Sequence, residues 1–341
     1  MSGKKAKAKK KDIRNTPPAE KKKLAARKQL NSFARRFVSA AVLTVVPVSL
    51  IPESWYAPLN HLTAWLAGYL IQLSTQMSPQ VHGTQINLDG FSVNVISECS
   101  AVHLIVLYAA FIYTYPAPRV RKWIGLIVGA AMLFVINVIR IAAVTLTGRY
   151  FPHMFEVVHI YFGQLGMLSA VVFICLIWCR WVTDPVFMES PTGFFMRFVL
   201  ISALFFVPWL LLNRVYIYAI DSFVERLFSL ADYRLLIPRT HRLYYQTFSL
   251  VALTGLLLAS RGVRLSSRLR WMAFGIAAVT TVQVAYRICN VWISAFKFEW
   301  AAPVSQIVYV TCVHALPFGI AVLFLMKVRT ERAIDEERLR Q

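Results

Sequence analysis

A short polar stretch, residues 97–103, combines carboxylate, thiol, hydroxyl and imidazole side chains directly before a long apolar run. Polar groups cost several kcal/mol in hydrocarbon unless they are paired or hydrated. We therefore expect this stretch at the watery end of a membrane helix, residues 93–115, with Cys99 as a reactive thiol there.

Two later apolar segments each carry one more costly residue. Arg140 lies within residues 136–141, and His159 lies within residues 157–160. With a rise of about 1.5 Å per residue, both side chains and Cys99 fall within a band of roughly 10 Å at one membrane face. The spacing therefore predicts a thiol, a guanidinium and an imidazole at the same depth.

These three side chains suit covalent chemistry at a cysteine. A thiol attacks as the thiolate, and a neighbouring cation lowers the thiol pKa from about 8.5. A histidine near neutrality can take the thiol proton and later deliver it to a leaving amine. An arginine stabilises a thiolate or the oxyanion of a tetrahedral intermediate. A lone membrane cysteine is more often a small packing residue, whereas an intramembrane arginine is functional by default. The pattern alone leaves packing and catalysis both open.

The composition is typical of a polytopic helical membrane protein. The chain is 57% hydrophobic and 16% charged, which is too apolar for a soluble domain. The net charge of +21 does not indicate nucleic-acid binding, because residues 1–36 hold fourteen Lys and Arg against two acidic residues. This head lacks apolar residues to bury, so it is expected to be largely disordered. It signals a cytoplasmic N-terminus, and contact with anionic lipid is the alternative.

Eight apolar segments are expected to cross the bilayer, since each crossing needs about 20 residues. They are residues 37–52, 93–115, 123–146, 157–178, 194–212, 243–260, 271–293 and 304–326. Both basic termini are expected in the cytoplasm, so the number of crossings must be even. Residues 55–73 are therefore expected to lie along the outer face or dip into it. Residues 85–93 alternate in polarity around Asp89-Gly90, which predicts a small extracytoplasmic hairpin before the cysteine helix.

The predicted organisation has four parts. A basic head (1–36) precedes a catalytic membrane core (37–182), additional C-terminal membrane helices (183–326) and a charged cytoplasmic tail (327–341). All five cysteines lie in or beside apolar runs, so no disulfide framework is expected. The expected fold class is all-α, with about eight transmembrane helices.

Three motifs, in this order and spacing, are similar to those of the exosortase/archaeosortase family of membrane cysteine transpeptidases. They are Glu98-Cys99-Ser100, residues 137–141 (Asn-Val-Ile-Arg-Ile) and residues 159–163 (His-Ile-Tyr-Phe-Gly). The outer hairpin also resembles that family, and the likeness covers roughly residues 55–182. Ala101 departs from the family, which usually has glycine after Cys-Ser. We expect this change to retain activity and to alter substrate fit.

The resemblance implies Cys99 as the nucleophile, His159 as the acid and base, and Arg140 as the electrostatic stabiliser. It implies a plasma-membrane enzyme that faces outward and needs no metal or organic cofactor. The implied substrate is a secreted protein that ends in a sorting motif, a transmembrane helix and a basic cluster. The enzyme would cleave near the motif, hold a thioester and pass the acyl group to an acceptor.

Two other functions stay open beside this one. The protein could be a non-catalytic membrane component that assists export or assembly of surface polymers, using the same polar cluster for binding. It could also be a membrane acyltransferase that acts on lipid or glycan. Replacement of Cys99 by serine separates the binding component from an enzyme, because only an enzyme needs the thiol.

Glu98, Ser100 and Gly163 are predicted to support the site, because they belong to the matched motifs. Glu98 either binds a substrate cation or is a helix-start carboxylate favoured by the helix dipole. Both interpretations stay open.

Asn137 and His103 are the remaining neighbours. Asn137 faces the same side of its helix as Arg140, three residues on, and is predicted to be its partner. His103 is the only other candidate base, four residues after Cys99. It ranks below His159 because it lies a turn deeper and lacks the family match. His314 is predicted to be a polar core residue.

Overall fold

The computed structural model describes residues 18–182, 190–237, 245–261 and 263–339. The α-helices are α1 (Pro18–Ser49), α2 (Glu53–Ser74), α3 (Val102–Thr114), α4 (Arg119–Tyr150), α5 (Phe155–Ile160), α6 (Met167–Val182), α7 (Pro191–Ser229), α8 (Ser249–Ala259), α9 (Leu265–Ser294), α10 (Ala301–Val310) and α11 (Leu316–Leu339). Strands β1 (Gln80–His82), β2 (Gln85–Leu88) and β3 (Phe91–Asn94) form one antiparallel sheet in that order. Short 3-10 turns occupy Ser97–Cys99, Pro152–Met154 and Tyr245–Phe248, and π turns occupy Tyr161–Gly166 and Thr311–Ala315.

Six of the described helices are long and apolar enough to cross a membrane, which confirms the prediction of a polytopic helical membrane protein. They are Lys28–Ser49, Arg119–Tyr150, Pro152–Val182, Pro191–Ser229, Leu265–Ser294 and Ala301–Val328. Two shorter apolar helices, Val102–Thr114 and Gln246–Ala259, coincide with the other two predicted segments. The number of crossings, eight, stays a prediction. Helix α2 is not among the six, and the placement of residues 55–73 along the outer face stays a prediction.

The basic head is not disordered throughout, because residues 18–36 form the first half of α1. Alanine, lysine, glutamate and leucine all favour helix, and proline at the first helical position fits the start at Pro18. Phe33 and Phe37 are each only 2% exposed and pack edge-on against the Phe111 ring of α3. Phe33 lies in the predicted basic head, whereas Phe37 begins the first predicted membrane segment. Residues 1–17 lie outside the described residues.

The predicted hairpin is present as β2 and β3. Leu88 pairs with Phe91 across a two-residue loop. Asp89 and Gly90 have φ of 40° and 90°, and positive φ at both loop positions is what a type I′ turn requires. Ile86 and Leu88 are buried against apolar residues of α2 and α4. The sheet therefore packs beside the helix that carries Arg140.

The helix after the hairpin begins at Val102, so the predicted helix over residues 93–115 starts too early. Cys99 ends a 3-10 turn ahead of α3 instead of lying two turns inside a helix. Strand pairing takes residues 91–94 out of any helix. Oε1 of Glu53 in α2 then accepts the Ser97 backbone N–H at 2.9 Å and holds the turn in place.

Close packing on α4 sets the positions of its neighbours. A Cβ at Gly129 would overlap the Tyr108 ring of α3, and a Cβ at Gly148 would overlap the Phe91 ring of β3. The Tyr108 hydroxyl donates to the Gly125 carbonyl at 2.8 Å. Small residues on α4 therefore let α3 and the hairpin approach closely, which places the Cys99 turn between them.

The C-terminal helices share a core with the N-terminal ones. Phe198 of α7, Phe248 and Phe318 of α11 belong to the same buried cluster as Phe111. Helix α10 also contacts α1. The described helices on the two sides of the predicted boundary at residues 182 and 183 therefore pack together.

Candidate active site

Local hydrogen bonds hold the turn that carries Cys99. The Cys99 N–H donates to the Ile96 carbonyl at 2.8 Å, and the Ser100 N–H donates to the Ser97 carbonyl at 3.1 Å. The Ser100 hydroxyl donates to the same Ser97 carbonyl at 2.7 Å. Cys99 is half-buried and free, so its thiol is available for reaction. The Glu98 side chain lies outside the part that the structure describes.

Arg140 bridges this turn to the segment after His159. Its Nη2 donates to the Cys99 carbonyl at 3.2 Å, and its Nη1 donates to the Gly163 carbonyl at 3.5 Å. The guanidinium is also within hydrogen-bonding reach of the Cys99 side chain. Its buried Nε finds no acceptor among the described residues. Arg140 therefore lies against the thiol and keeps one donor unused.

His159 lies in α5, directly before the π turn Tyr161–Gly166. Its ring stacks on Phe155 at a centroid distance of 5.6 Å and an interplanar angle of 23°. A π turn departs from α-helical hydrogen bonding and is frequent at functional sites. Here the turn contains Gly163, whose carbonyl meets Arg140. The irregular backbone thus joins the His159 segment to the guanidinium.

The side chains of Cys99, Arg140 and His159 line one small cavity of about 10 Å³. Its other walls are apolar: Val93, Val95, Ile141 and Val144. Such a volume is at the lower limit for a single water molecule. The structure therefore brings the three predicted residues together, but a peptide can enter only if the walls move apart.

The prediction that Asn137 is the partner of Arg140 is wrong. Asn137 is fully buried, and both polar atoms of its amide lack a hydrogen-bond partner in the described part of the chain. Spacing of three residues places the two side chains on the same side of α4. Arg140 nevertheless extends to the carbonyls of Cys99 and Gly163.

His103 lies away from this cavity and lines a second, larger pocket of about 230 Å³. That pocket is formed by the end of α1, the start of α2, the Cys99 turn, α3 and α10. Its lining residues are Val48, Ser49, Ile51, Glu53, Tyr56, Ser97, His103 and Gln306. His159, and not His103, is therefore the imidazole beside Cys99.

Three nearby residues were missed or underrated from the sequence. Glu53 holds the Cys99 turn, and Gln306 reaches the second pocket from the C-terminal helices. His314 interacts electrostatically with His103 and Arg140, so it lies closer to the site than a remote core residue. Of the three, only Glu53 could have been noticed in the sequence, as a carboxylate at the start of α2. The contacts of Gln306 and His314 depend on how distant helices pack.

The arrangement supplies a nucleophile, a proton acceptor and a fixed cation in apolar surroundings. Low polarity around a charge strengthens its interactions. Among the described residues, no three His, Cys, Asp or Glu side chains are grouped so as to hold a metal ion. A thiol, an imidazole and a guanidinium in this arrangement are compatible with attack by a thiolate on a carbonyl carbon.

The comparison with known families covers the same part of the chain. Residues 24–178 match the family model described as transmembrane exosortase. Over these residues, a little under half of the chain, the sequence is similar to the exosortase family. The exosortase segment begins inside α1 and includes Cys99, Arg140 and His159, but it ends before the C-terminal helices. No curated protein and no solved structure matches the chain.

Proposed function

We propose that this protein is an exosortase-like membrane cysteine transpeptidase, with Cys99 as nucleophile, His159 as acid and base, and Arg140 as anion stabiliser. The observation that carries the proposal is the cavity lined by all three side chains. Three separate segments supply them, so their meeting is a property of the fold and not of one local motif.

The first half-reaction forms a thioester. His159 takes the Cys99 thiol proton, and the thiolate attacks the carbonyl carbon of the scissile peptide bond. Arg140 then stabilises the oxyanion with a charged donor, a contribution of about 10²–10³ in rate when one such donor is removed. His159 returns the proton to the leaving amine, which departs with the C-terminal tail.

The second half-reaction transfers the acyl group to an acceptor. The substrate is a secreted protein with a C-terminal sorting motif, a transmembrane helix and a basic cluster. The active site faces the extracytoplasmic side and both termini are cytoplasmic. Support for this orientation comes from the basic start of α1 and from Arg119, Arg121 and Lys122 before or at the start of α4.

Substrate entry requires a small conformational change. The cavity holds about 10 Å³, whereas a peptide needs far more room. Two of its walls, Val93 and Val95, belong to or follow the hairpin strand β3. Displacement of the hairpin from α4 would open the site and free Arg140 from the Cys99 carbonyl.

The test compares the membrane and surface proteins of cells that carry wild-type protein or Cys99→Ala at equal abundance. We expect one or more proteins to keep a C-terminal membrane tail only in the Cys99→Ala cells. Intact-mass analysis of their C-termini reveals both the cleavage and the sorting motif.

Cys175→Ala is the matched control, because Cys175 is buried in the shared core away from the cavity. Its cells should process every substrate as wild-type cells do. Identical C-termini in wild-type and Cys99→Ala cells would contradict the proposal. Full processing by Cys99→Ser would favour a binding component instead.

A further inference from the structure

The second pocket differs from the catalytic cavity in size and in polarity. It holds about 230 Å³, enough for a small polar group, and hydroxyl, carboxylate, imidazole and amide side chains line it. The Tyr56 hydroxyl is committed to the Val48 carbonyl, and the Ser49 hydroxyl is committed to the Val45 carbonyl. The side chains of Glu53, Ser97, His103 and Gln306 are left to meet a ligand.

The pocket runs from an exposed carboxylate to a buried imidazole. Glu53 is exposed, whereas His103 is only 4% exposed. The His103 Nε2 has no hydrogen-bond partner within the described residues. A buried nitrogen without a hydrogen-bond partner costs free energy. A ligand that hydrogen-bonds to Nε2 removes this cost, which favours binding in the pocket.

The pocket is joined to the nucleophile through one short turn. Ser97 lines the pocket, and Cys99, two residues later, lines the catalytic cavity. Glu53 Oε1 accepts the Ser97 N–H at 2.9 Å and an Asn60 side-chain N–H at 3.1 Å. A group held in the pocket is therefore adjacent to the turn that would carry a thioester.

Charge separates the two cavities. The catalytic cavity contains Arg140, which attracts an oxyanion and repels a cation. Of the described residues that line the second pocket, one is a carboxylate and none is lysine or arginine. A carbonyl oxygen is thus favoured on one side of the turn and an ammonium group on the other.

We infer that the pocket of Glu53, His103 and Gln306 binds the acyl acceptor, and that this acceptor presents a primary ammonium group. The inference rests on the proposed function, because it assigns a binding site to the acceptor of the second half-reaction. It also gives the C-terminal helices a role, since Gln306 lies outside the exosortase segment.

The transfer step balances with these groups. The amine nitrogen attacks the thioester carbonyl, a C–N bond forms and the C–S bond breaks. The ammonium loses two protons in forming the amide. One ends on the Cys99 sulfur through His159, and the other is taken by Nε2 of His103.

A binding experiment tests the pocket without any substrate. Purified full-length protein in detergent is heated with ethylammonium chloride or with tetramethylammonium chloride at equal ionic strength. Ethylammonium should raise the unfolding midpoint by about 2 °C or more at saturation, whereas tetramethylammonium, which has no N–H donor, should not. Glu53→Gln should remove the rise, and Glu299→Gln, the same charge change away from the pocket, should keep it. An equal response to both cations, or an unchanged rise in Glu53→Gln, overturns the inference.

A kinetic experiment then uses the substrate found through Cys99→Ala, in membranes of cells with each variant. Glu53→Gln retains an oxygen for the Ser97 N–H, so the turn should stay intact. Cleavage of the precursor and decay of the Cys99 thioester are followed separately within one turnover, and the thioester should persist about tenfold longer or more. Hydroxylamine, which is neutral at pH 7 and needs no ammonium site, should release it at the wild-type rate. Gln306→Ala should prolong the thioester in the same direction.

The outcomes separate the two proposals. Thioester decay at the wild-type rate in Glu53→Gln overturns the acceptor pocket and leaves the transpeptidase standing. If Cys99→Ala cells show the same protein C-termini as wild-type cells, the transpeptidase proposal is wrong. The ethylammonium experiment then still decides whether the pocket binds a primary ammonium.

The ammonium could belong to a lipid headgroup or to a soluble amine. Reconstitution into phosphatidylcholine vesicles, with and without phosphatidylethanolamine, distinguishes these sources. Glu53-dependent decay of the thioester only with phosphatidylethanolamine assigns a lipid amine. Glu53-dependent decay in phosphatidylcholine alone, on addition of ethylamine, assigns a soluble one. Thioester decay at the same rate in wild type and Glu53→Gln, under both vesicle conditions, contradicts the inference.

Discussion

Arg140 and Arg287 both lie on candidate membrane-spanning helices, and their surroundings differ. Arg287 of α9 donates from Nε and Nη2 to the two carboxylate oxygens of Asp221 in α7, at 2.5 and 3.0 Å. Arg140 of α4 donates to two backbone carbonyls and lies against a thiol. A carboxylate neutralises a guanidinium, whereas carbonyl dipoles only solvate it.

The difference separates an arginine whose charge is paired with a carboxylate from one that contacts carbonyls and a thiol. The Asp221 and Arg287 side chains are 3% and 13% exposed, so the pair cross-links α7 and α9 with its charge already satisfied. Arg140 keeps its net charge and an unused Nε among the described residues. Its attraction is thus available to an anion that forms beside it, such as a thiolate or an oxyanion. Substitutions at the two sites should consequently affect different properties. Loss of the Asp221–Arg287 pair should reduce folding, and loss of Arg140 should reduce the rate of processing.

The largest effect is expected for Asp221→Ala, which leaves the Arg287 charge buried without its carboxylate. Breaking such a pair costs about 3–5 kcal/mol. Folded protein should fall sharply, measured by fluorescence-detected size exclusion from detergent extracts. Asp221→Leu combined with Arg287→Met should restore most of it, because apolar residues can replace a buried pair. If Asp221→Ala folds normally, the pair is not a structural cross-link.

Arg140→Gln should slow the processing of substrate and leave folding unchanged. The variant should fold to wild-type levels, because no carboxylate loses its partner. Processing of the substrate should slow by about 10²–10³-fold, since one charged donor to the oxyanion is lost. Initial rates of tail removal, normalised to folded protein, measure the change. A variant that fails to fold but keeps its specific activity would place Arg140 beside Arg287 as a structural residue.

Gly129→Ala tests how α4 holds α3, and with it the preceding Cys99 turn, close to Arg140. The added methyl group would overlap the Tyr108 ring, and overpacking of this kind costs about 1–3 kcal/mol. Both the unfolding midpoint and the processing rate should fall, because α3 moves away from α4. Gly319→Ala is the control, since its Cβ meets only Phe37 at 3.8 Å, an ordinary contact. Equal effects of the two variants would show that close approach at Gly129 is unimportant.

Asn137→Leu is expected to have the smallest effect. The asparagine amide is buried without a partner among the described residues, so its removal should be neutral or stabilise by up to about 1 kcal/mol. Thermal unfolding in detergent gives the sign, and processing should stay within a factor of two or three of wild type. A tenfold loss of processing would restore Asn137 to the site as a partner of Arg140 or of the substrate.

Residue types and hydropathy were enough to predict much of this protein. The apolar segments each correspond to a helix, and the Asp89-Gly90 turn lies where alternation placed it. Cys99, Arg140 and His159 were predicted at one depth, because the free-energy cost of polar groups in hydrocarbon restricts where they can lie. Family motifs then singled out the same three residues.

Local competition between structures was harder to predict. Residues 93–94 are apolar enough to continue a helix, but pairing with β2 takes them into a strand. The head is too basic to suggest a core, yet its Phe33 side chain is buried against the Phe111 ring. In both cases a contact with a distant segment overrode the local composition.

Rotation and packing of the helices were decided only in three dimensions. Each residue turns a helix by about 100°, so depth does not tell which way a side chain faces. Asn137 and Arg140 lie on the same face of α4, but their side chains are not hydrogen-bonded to each other. The Gly163 carbonyl that accepts from Arg140 lies in a π turn. The sequence by itself determined which candidate residues lie at one depth of the membrane. The tertiary structure decided which of them meet, and it alone joined Glu53, His103 and Gln306 in one pocket, because contacts between distant helices depend on shape and not on hydropathy.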